Sequence, residues 1–269
     1  MKISVIIPTY KPRDYLWECL NSIKVQSLCS SDYEVIIVLN GCNEPYSSQI
    51  REYIDSQLPD HIVRLVQTDL SGVSNARNIA LDLSRGEYIT FIDDDDYVSP
   101  SYLEELLLKA STNTISLCYP IAFEDGVNRF YEYYVTKNYN LIIDKRRQHF
   151  INASSFFSGP VYKLIHRSII GDVRFNEKFC NGEDSIFMFE ISKNFRYVNL
   201  TSKAAIYYRR VRCNSATNSD AYKNKIFTNR LLMIIEYSKL YFKCPFKYNL
   251  LFYLTRIGAA LKVIIKTSI

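Results

Sequence analysis

Four consecutive carboxylates form the stretch of this 269-residue chain that is best suited to chemistry. Asp93, Asp94, Asp95 and Asp96 follow directly on an apolar segment, residues 88–92, that has the pattern of a buried strand. Adjacent like charges repel one another unless a cation offsets them, and a hard divalent ion with oxygen ligands is the natural partner. An acidic, solvated loop is the alternative. Because ligands of open α/β sheets collect beyond the carboxyl ends of strands, this position favours a site for Mg²⁺ or Mn²⁺.

A second acidic pair, Glu183 and Asp184, stands immediately before a helical pattern at residues 185–191. A carboxylate can act as the general base that removes the proton of a hydroxyl group. The first turn of an ordinary helix also favours acidic residues, because they interact well with the positive end of the helix dipole. Residue types alone leave both interpretations open.

These acidic residues need a scaffold, and the first 115 residues indicate an α/β sheet. Apolar, β-branched segments alternate there with segments of helical periodicity. The predicted strands lie at residues 2–8, 33–39, 61–67 and 88–92, and the predicted helices at residues 13–26, 47–57 and 74–83. Such alternation predicts βαβ units with right-handed crossovers and a mostly parallel sheet flanked by helices. Beyond residue 116 the pattern becomes mixed and rich in aromatic residues, which predicts a mixed sheet.

The composition indicates a soluble protein, with 48% hydrophobic and 23% charged residues. A strand pattern begins at Lys2, and Pro8 follows too soon for the apolar region of a signal peptide, so no secretion signal is expected. The seven cysteines lack CxxC spacing, which indicates free thiols in a reducing cytoplasm and argues against a zinc site. We expect no nucleic-acid partner.

The positive charge of the chain is concentrated at its end. From residue 223 onward the chain has nine Lys or Arg residues and a single acidic residue, Glu236. This change in composition predicts a domain boundary between residues 1–220 and a basic tail at 221–269. Two helical patterns, 223–242 and 249–266, occupy this tail. Because Arg256 and Lys262 interrupt the second one, we expect an amphipathic helix at an anionic membrane surface and no transmembrane span. Packing onto the rest of the chain, or onto a second subunit, is the alternative.

The chain resembles the family 2 glycosyltransferases, which have the GT-A, Rossmann-like fold. The segments that carry the resemblance are residues 4–10, 32–38, 72–78, 91–96, 161–163 and 182–184, in the family's order. The resemblance extends over residues 2–215. It implies a nucleotide-binding half at residues 1–115 and an acceptor half at 116–220.

The function that this resemblance implies is an inverting, metal-dependent transfer of a sugar from a nucleoside diphosphate sugar, expected to be a UDP-sugar, to a saccharide acceptor. Mn²⁺ or Mg²⁺ is the implied cofactor. The expected acceptor is lipid-linked, in the assembly of a bacterial surface polysaccharide such as a capsule or an O-antigen. The expected location is the cytoplasm, at the inner face of the membrane.

The resemblance also assigns roles to single residues. Asp95 corresponds to the metal ligand. Asp93 and Asp94 correspond to residues that contact the ribose and the surroundings of the metal, and Asp93 is also a second candidate ligand. Asp184 corresponds to the general base, and Glu183 orients its loop or contacts the acceptor. The other predicted donor contacts are Pro8, Thr9, Tyr10, Asn40 and Arg77.

Some positions keep two interpretations. Asn40 stands where the family commonly has an aspartate that binds uracil; its amide either takes over that contact or belongs to an ordinary turn before Gly41. Arg77 either reaches the nucleotide or forms a buried ion pair. Asp96 either caps the helix expected near Ser101 or faces solvent. Further contacts with the diphosphate or the acceptor are predicted from three residues: Tyr162, Arg209 and Arg210.

Two other functions compete with this interpretation. A sugar-1-phosphate nucleotidyltransferase would also be α/β and metal-dependent, but it would need a glycine-rich basic loop after the first strand, where residues 8–12 read Pro-Thr-Tyr-Lys-Pro. A non-catalytic nucleotide-sugar-binding module would keep the fold without its chemistry. The presence of both Asp95 and Asp184 argues against such a module.

Overall fold

The computed structural model describes residues 1–127, 129–144, 148–179, 181–212 and 220–267. Within these ranges the strands are β1 (Ile3–Thr9), β2 (Tyr33–Asn40), β3 (Ile62–Thr68), β4 (Tyr88–Phe91), β5 (Tyr97–Val98), β6 (Thr114–Leu117), β7 (Tyr119–Glu124), β8 (Phe130–Tyr131), β9 (Gln148–His149), β10 (Lys163–His166), β11 (Tyr197–Leu200) and β12 (Ile206–Val211). The α-helices are α1 (Asp14–Lys24), α2 (Tyr46–Gln57), α3 (Val73–Leu83), α4 (Tyr102–Leu108), α5 (Tyr134–Ile142), α6 (Arg167–Ile170), α7 (Glu183–Ile191), α8 (Asp220–Lys243) and α9 (Leu250–Thr267).

The described strands form a large sheet in the order β3-β2-β1-β4-β10-β6-β11-β9. Strands β3, β2, β1 and β4 are parallel, whereas β10 runs antiparallel to both of its neighbours. Every residue of β1 and β2 is buried, as expected for parallel strands that are covered by helices on both faces. The predicted α/β class, with a parallel half, a mixed half and a helical C-terminal part, is confirmed.

The strand ends that carry the predicted site lie side by side. Thr9 is paired in register with Leu39, and Ile6 with Phe91, so β1, β2 and β4 deliver their carboxyl ends to one edge of the sheet. Parallel pairing alone dictates this convergence, because all three chains leave the sheet in the same direction.

A second sheet lies above this edge, in the order β5-β12-β7-β8. Strand β12 is parallel to β7 and antiparallel to the short β5, which follows the carboxylate run directly. The backbone N–H of Ser99 donates to the carbonyl of Ile206 at 2.9 Å. This sheet therefore holds the basic strand β12 beside the four aspartates.

The tail helices α8 and α9 pack against α7. The ring of Phe189 stacks on Tyr248 with 5.0 Å between the centroids and lies 5.7 Å from the ring of Phe252. The side chain of Met233 occupies the space that a Cβ atom on Gly182 would need. These contacts correspond to the packing alternative for the tail. The predicted boundary at residue 220 coincides with the start of α8, and residues 213–219 before it lie outside the described ranges.

Within the described part of the chain, neither of these helices, nor any other, is sufficiently long and apolar to cross a bilayer.

Candidate active site

An open cleft of about 1480 Å³ lies beyond the carboxyl ends of β1, β2 and β4. All the residues predicted on the donor side line this cleft: Pro8, Thr9, Tyr10, Asn40, Arg77, Asp93, Asp94 and Asp95. The opposite wall comes from the second sheet and includes Asp125 and Arg212. The fold thus brings these residues together, while their contacts with a nucleotide stay a prediction.

The four aspartates have four different environments. Asp93 accepts from Arg77 at 2.9 Å, and Asp94 accepts from the hydroxyl of Thr9 at 2.5 Å. Asp95 forms an ion pair with Arg212 at 2.5 Å. Each of these side chains keeps part of its surface exposed to the cleft.

Asp96 differs from both predictions made for it, because it neither caps a helix nor faces solvent. Its side chain is 4% exposed and accepts from the backbone N–H of Arg210 at 2.7 Å. The hydroxyl of Tyr207 also bonds this carboxyl group, and the same hydroxyl accepts from the backbone N–H of Asp93 at 3.1 Å. Asp96 and Tyr207 therefore fix the acidic turn to β12. Sequence reasoning assigned no role to Tyr207.

Burial, together with the neighbouring carboxyl groups, raises the pKa values of Asp94, Asp95 and Asp96. Burial raises the pKa of Asp94 to about 7; Asp95 and Asp93 add to the rise, and the Thr9 hydroxyl opposes it. Burial and the charge of Asp93 also raise the pKa of Asp95, against the opposing effect of Arg212. A cation placed among these groups would lower all of these values, because it favours the charged carboxylates.

The donor set fits a hard divalent ion that shares its coordination with a substrate. Among the described residues, no three His, Cys, Asp or Glu side chains converge as a complete metal cage. Mg²⁺ commonly takes only one or two protein carboxylates and completes its shell with water and phosphate oxygens. Asp95 and Asp93, which both line the cleft, supply such a partial set.

Arg77 connects this acidic run to the second acidic pair. Its guanidinium is 3% exposed and donates to Asp93 at 2.9 Å and to Asp184 at 2.5 Å. Burial disfavours its charge, but Asp184 and Asp93 outweigh that effect and raise the pKa of Arg77. Arg77 was predicted either to reach the nucleotide or to form a buried ion pair. The structure contains the buried ion pair, and Arg77 also lines the cleft.

Asp184 and Glu183 open helix α7 after Gly182, which has a left-handed backbone with φ of 90°. Asp184 keeps about a quarter of its side chain accessible, at 26% exposure, whereas Glu183 is 7% exposed. Burial raises the pKa of Asp184 and Arg77 lowers it, with a net rise. Burial and the neighbouring Asp184 raise the pKa of Glu183 to about 7. Asp184 is therefore the more available proton acceptor of the pair.

Asn40 uses its amide within the protein. The amide nitrogen donates to the carbonyl of Thr9 at 2.7 Å, and the amide oxygen accepts from the N–H of Gly72 at 2.9 Å. The residue is 4% exposed, so it joins β1, β2 and the start of α3. One N–H and one lone pair are left for a ligand.

Two predicted contacts with the acceptor or the diphosphate are core residues, and we correct them here. Tyr162 is 8% exposed and packs edge-on against Tyr207. Arg210 is also 8% exposed, and its guanidinium is held by Asp125 at 2.7 Å and by Glu18. Val211, the last residue of β12, and Arg212 directly after it line the cleft.

Arg209 lies on the other face of β12. It is exposed, and its guanidinium stands 5.7 Å from the ring centre of Tyr133. The rest of the predicted basic loop, Cys213 to Ser215, lies outside the described residues, as does Cys180 beside the second acidic motif.

Comparison with known proteins agrees with this arrangement. Residues 4–174 match the family described as glycosyl transferase family 2. EpsH of Bacillus subtilis (strain 168) is 27% identical over 242 residues, which are 86% of this chain and 66% of EpsH. The minor teichoic acid biosynthesis protein GgaB of the same organism is 30% identical over 88% of this chain and 26% of GgaB. The chain thus spans less than two thirds of the length of these curated relatives.

Solved structures show the same fold. The poly(ribitol-phosphate) β-N-acetylglucosaminyltransferase TarS of Staphylococcus aureus, residues 1–349 with UDP, aligns with a TM-score of 0.66 at 22% identity, over 88% of this chain and 65% of that one. A mannosyltransferase of Pyrobaculum calidifontis with GDP-Man and Mn²⁺ aligns with a TM-score of 0.59 at 17% identity, over 98% and 75% of the two chains.

The Arg77 bridge generates a prediction about stability. Replacing Arg77 by Met should lower the free energy of unfolding by about 3–5 kcal/mol, because it leaves two partly buried carboxylates without their cation. Adding Asp184→Asn in the same chain should recover part of this loss, with a coupling of about 1–3 kcal/mol. Urea unfolding of the single and double variants measures both effects. Arg174→Met, which removes an arginine paired with Asp82 at the surface, is the control. Strict additivity of Arg77→Met and Asp184→Asn would contradict the bridge.

Proposed function

The chain belongs to glycosyl transferase family 2, and on that premise we propose that it transfers a sugar from a UDP-sugar to a hydroxyl group of a saccharide acceptor, with inversion at the anomeric carbon. One observation carries the proposal: Arg77 holds Asp93 of the acidic run and Asp184 of the second acidic pair in a single bridge. Two carboxylates that lie 91 positions apart in the sequence are thereby placed one guanidinium apart, at the edge where α/β sheets bind ligands.

The donor occupies the cleft in this proposal. The N-terminus of α3 begins beside it at Gly72, and Arg212 lies on the facing wall. Free N–H groups at a helix start and an arginine both suit phosphate oxygens. Asp93 and Asp94 take the ribose side. The UDP found in TarS, a neighbour of the same fold, supports a uridine nucleotide as the first donor to test.

A divalent cation, when bound by Asp95 and Asp93, would neutralise the charge that gathers on the leaving diphosphate. The protein's own residues do the rest. Arg77 fixes the separation of Asp93 and Asp184, and its charge opposes the rise that burial causes in the pKa of Asp184. The tyrosine hydroxyl of Tyr207 holds the backbone of the acidic turn in place.

Asp184 has the role of general base. Direct displacement requires a carboxylate that takes the proton of the acceptor hydroxyl while the new bond forms on the face opposite the diphosphate. Asp184 lies on the far side of Arg77 from Asp93, and its second carboxylate oxygen points towards Gly159. Glu183 beside it is more deeply buried and supports the start of α7.

We further propose that the acceptor is lipid-linked and that the tail helices rest on the inner face of a cytoplasmic membrane. Both helices expose apolar side chains at helical spacing: Phe227, Leu231, Leu232, Ile235, Phe242, Leu250, Leu251, Leu254, Leu261 and Ile265. Exposed lysines accompany them: Lys239, Lys243, Lys247 and Lys262. Apolar surface of this extent marks an interaction site, and the lysines favour an anionic bilayer as its partner. The teichoic acid relative supports a surface polymer as the product.

A donor panel tests the proposed function. The purified protein is incubated with Mn²⁺ and, in separate reactions, with UDP-glucose, UDP-galactose, UDP-GlcNAc, UDP-GalNAc and GDP-mannose, and release of the nucleoside diphosphate is followed. We expect slow hydrolysis of one UDP-sugar. Formation of a nucleotide sugar from a nucleoside triphosphate and a sugar-1-phosphate would instead identify a nucleotidyltransferase.

Asp95→Asn should remove the metal dependence of nucleotide binding. We expect UDP affinity of the native protein to rise at least tenfold with Mn²⁺, because the ion joins the acidic run to the diphosphate. In the variant, UDP affinity should be the same with and without Mn²⁺. Calorimetric titration measures both. Equal UDP affinity of the native protein in the two conditions would refute the metal role.

Asp184→Asn should separate chemistry from binding. The amide is nearly isosteric but cannot take a proton, so turnover should fall by about two orders of magnitude or more. UDP affinity should stay within about twofold of the native value. A variant that retained native turnover would show that Asp184 serves only the start of α7.

Membrane binding is best tested with point variants, because truncation of the tail would also remove the contacts with α7. The double variant Leu251→Ser/Leu254→Ser should bind phosphatidylglycerol vesicles about tenfold more weakly, since two half-exposed leucines contribute on the order of 1–2 kcal/mol. High salt should weaken binding of the native protein. The control Leu108→Ser/Leu141→Ser alters leucines exposed elsewhere. Equal sedimentation of all three proteins with the vesicles would exclude this surface.

A further inference from the structure

Residues 154–161, here called the acceptor-side loop, comprise the end of a 3-10 helix (Phe150–Ser158) and the turn after it, and they lie against the carboxylate of Asp184. A Cβ atom on Gly159 would stand 3.9 Å from the second carboxylate oxygen of Asp184, an ordinary van der Waals distance. The hydroxyl of Ser158 lies 3.2 Å from that of Tyr134, an exposed side chain of α5. The position of this loop therefore decides what space is left beside the proposed base.

Lys163 holds the loop from the large sheet. Its side chain is fully buried, and its ammonium donates to the carbonyl oxygens of Phe156 at 2.8 Å, Gly159 at 2.6 Å and Val161 at 2.6 Å. An ammonium has three N–H donors, so all of them are used.

Arg256 holds the same loop from helix α9 of the tail. Its guanidinium donates to the carbonyl oxygens of Ser154 at 3.0 Å and Phe157 at 3.3 Å. A third contact, at 3.3 Å, reaches the hydroxyl of Ser185, the residue next to Asp184 in α7. The guanidinium lies 4.7 Å from the ring centre of Phe252, which fixes its orientation.

Two cations thus bind five carbonyl oxygens of an eight-residue loop. Taking a cation out of water costs free energy, and a packed apolar side chain in its place is commonly neutral or more stable. Stability alone therefore gives little reason for a lysine and an arginine here. Hydrogen bonds to successive carbonyls, by contrast, fix a loop in one position.

We infer that Lys163 and Arg256 are positioning residues, which hold the acceptor-side loop and the start of α7 so that the acceptor hydroxyl meets Asp184. The inference rests on the proposed function. A displacement of about 1 Å at a reacting group can lower the rate by about a hundredfold. Loss of either cation should therefore lower turnover while the donor cleft stays intact.

The test compares Lys163→Met and Arg256→Met with the native protein. Because Lys163 is fully buried and its variant can fail to fold, Arg256→Met is the principal variant and Arg256→Lys its conservative counterpart. The control is Arg167→Met, which removes an arginine that binds the carbonyls of Ser84 and Gly86 at the other end of the sheet.

Hydrogen–deuterium exchange is the first readout. In Arg256→Met, exchange should rise about tenfold or more in residues 154–161 and 181–186 and stay unchanged in β1, β2 and β4. Arg167→Met should raise exchange near residues 84–86 alone. Unchanged protection of the acceptor-side loop, or an equal rise throughout the chain, overturns the inference.

Kinetics are the second readout. With the UDP-sugar that the native protein hydrolyses, kcat of Arg256→Met should fall about ten- to a hundredfold while KM for the donor and UDP affinity stay within twofold. Arg256→Lys should recover part of kcat, because an ammonium can still bind one carbonyl. Native kcat in Arg256→Met overturns the inference. If the native protein hydrolyses no nucleotide sugar, the proposed function fails, and the exchange experiment still decides whether the cations hold the loop.

Discussion

The structure depends on offsetting the negative charge that gathers at one edge of the sheet. Six carboxyl groups, Asp93 to Asp96 with Glu183 and Asp184, come from two distant segments and would repel one another. Arg77 provides the central compensation, since its single guanidinium binds one carboxylate from each segment. A lysine could not replace it, because an ammonium lacks the planar fork that allows two carboxylates to be bound side by side. The negative charge of the site is therefore only partly neutralised, which favours a ligand that binds together with a cation.

The remaining charge is managed by geometry. Asp96 is turned inward and accepts from the backbone N–H of Arg210, while the side chain of Arg210 binds Glu18 and Asp125, which lies in the wall of the cleft. This leaves Asp94 and Asp95 to face the open side, where burial and mutual repulsion raise their pKa values. Carboxyl groups whose pKa values are raised in this way gain most from a bound cation, so their clustering favours cation binding in the cleft.

Sequence reasoning succeeded where one segment carries the whole signal. The strands of the parallel half have continuous apolar patterns, and the acidic run stands at the end of one of them, so both could be predicted. It was less successful where pairing decides. Arg210 and Arg212 are two positions apart, which strand alternation alone would place on the same side; in the structure Arg212, directly after β12, lines the cleft, whereas Glu18 and Asp125 hold Arg210. Tyr162 was predicted at the acceptor, and it is a core residue with a left-handed backbone at φ of 72°, which no local pattern indicates. The two partners of Asn40, Thr9 and Gly72, likewise come from two separate segments.

The tail shows why an amphipathic pattern does not identify its own partner. The aromatic side of α8 and α9 is used internally, since Tyr237, Tyr248 and Phe252 surround Phe189 of α7. The leucine-rich side of the same helices stays exposed. A helix is about 10 Å wide, so these two sides are separated by a single layer of packing. The exposed side is connected to the start of α7 by three residues of the tail helices. Arg256 and Tyr237 contact Ser185, and Met233 contacts Gly182, so all three reach a residue next to the acidic pair. The helices that expose this leucine-rich side are therefore also those that hold Gly182 and Ser185, on either side of the acidic pair, in place.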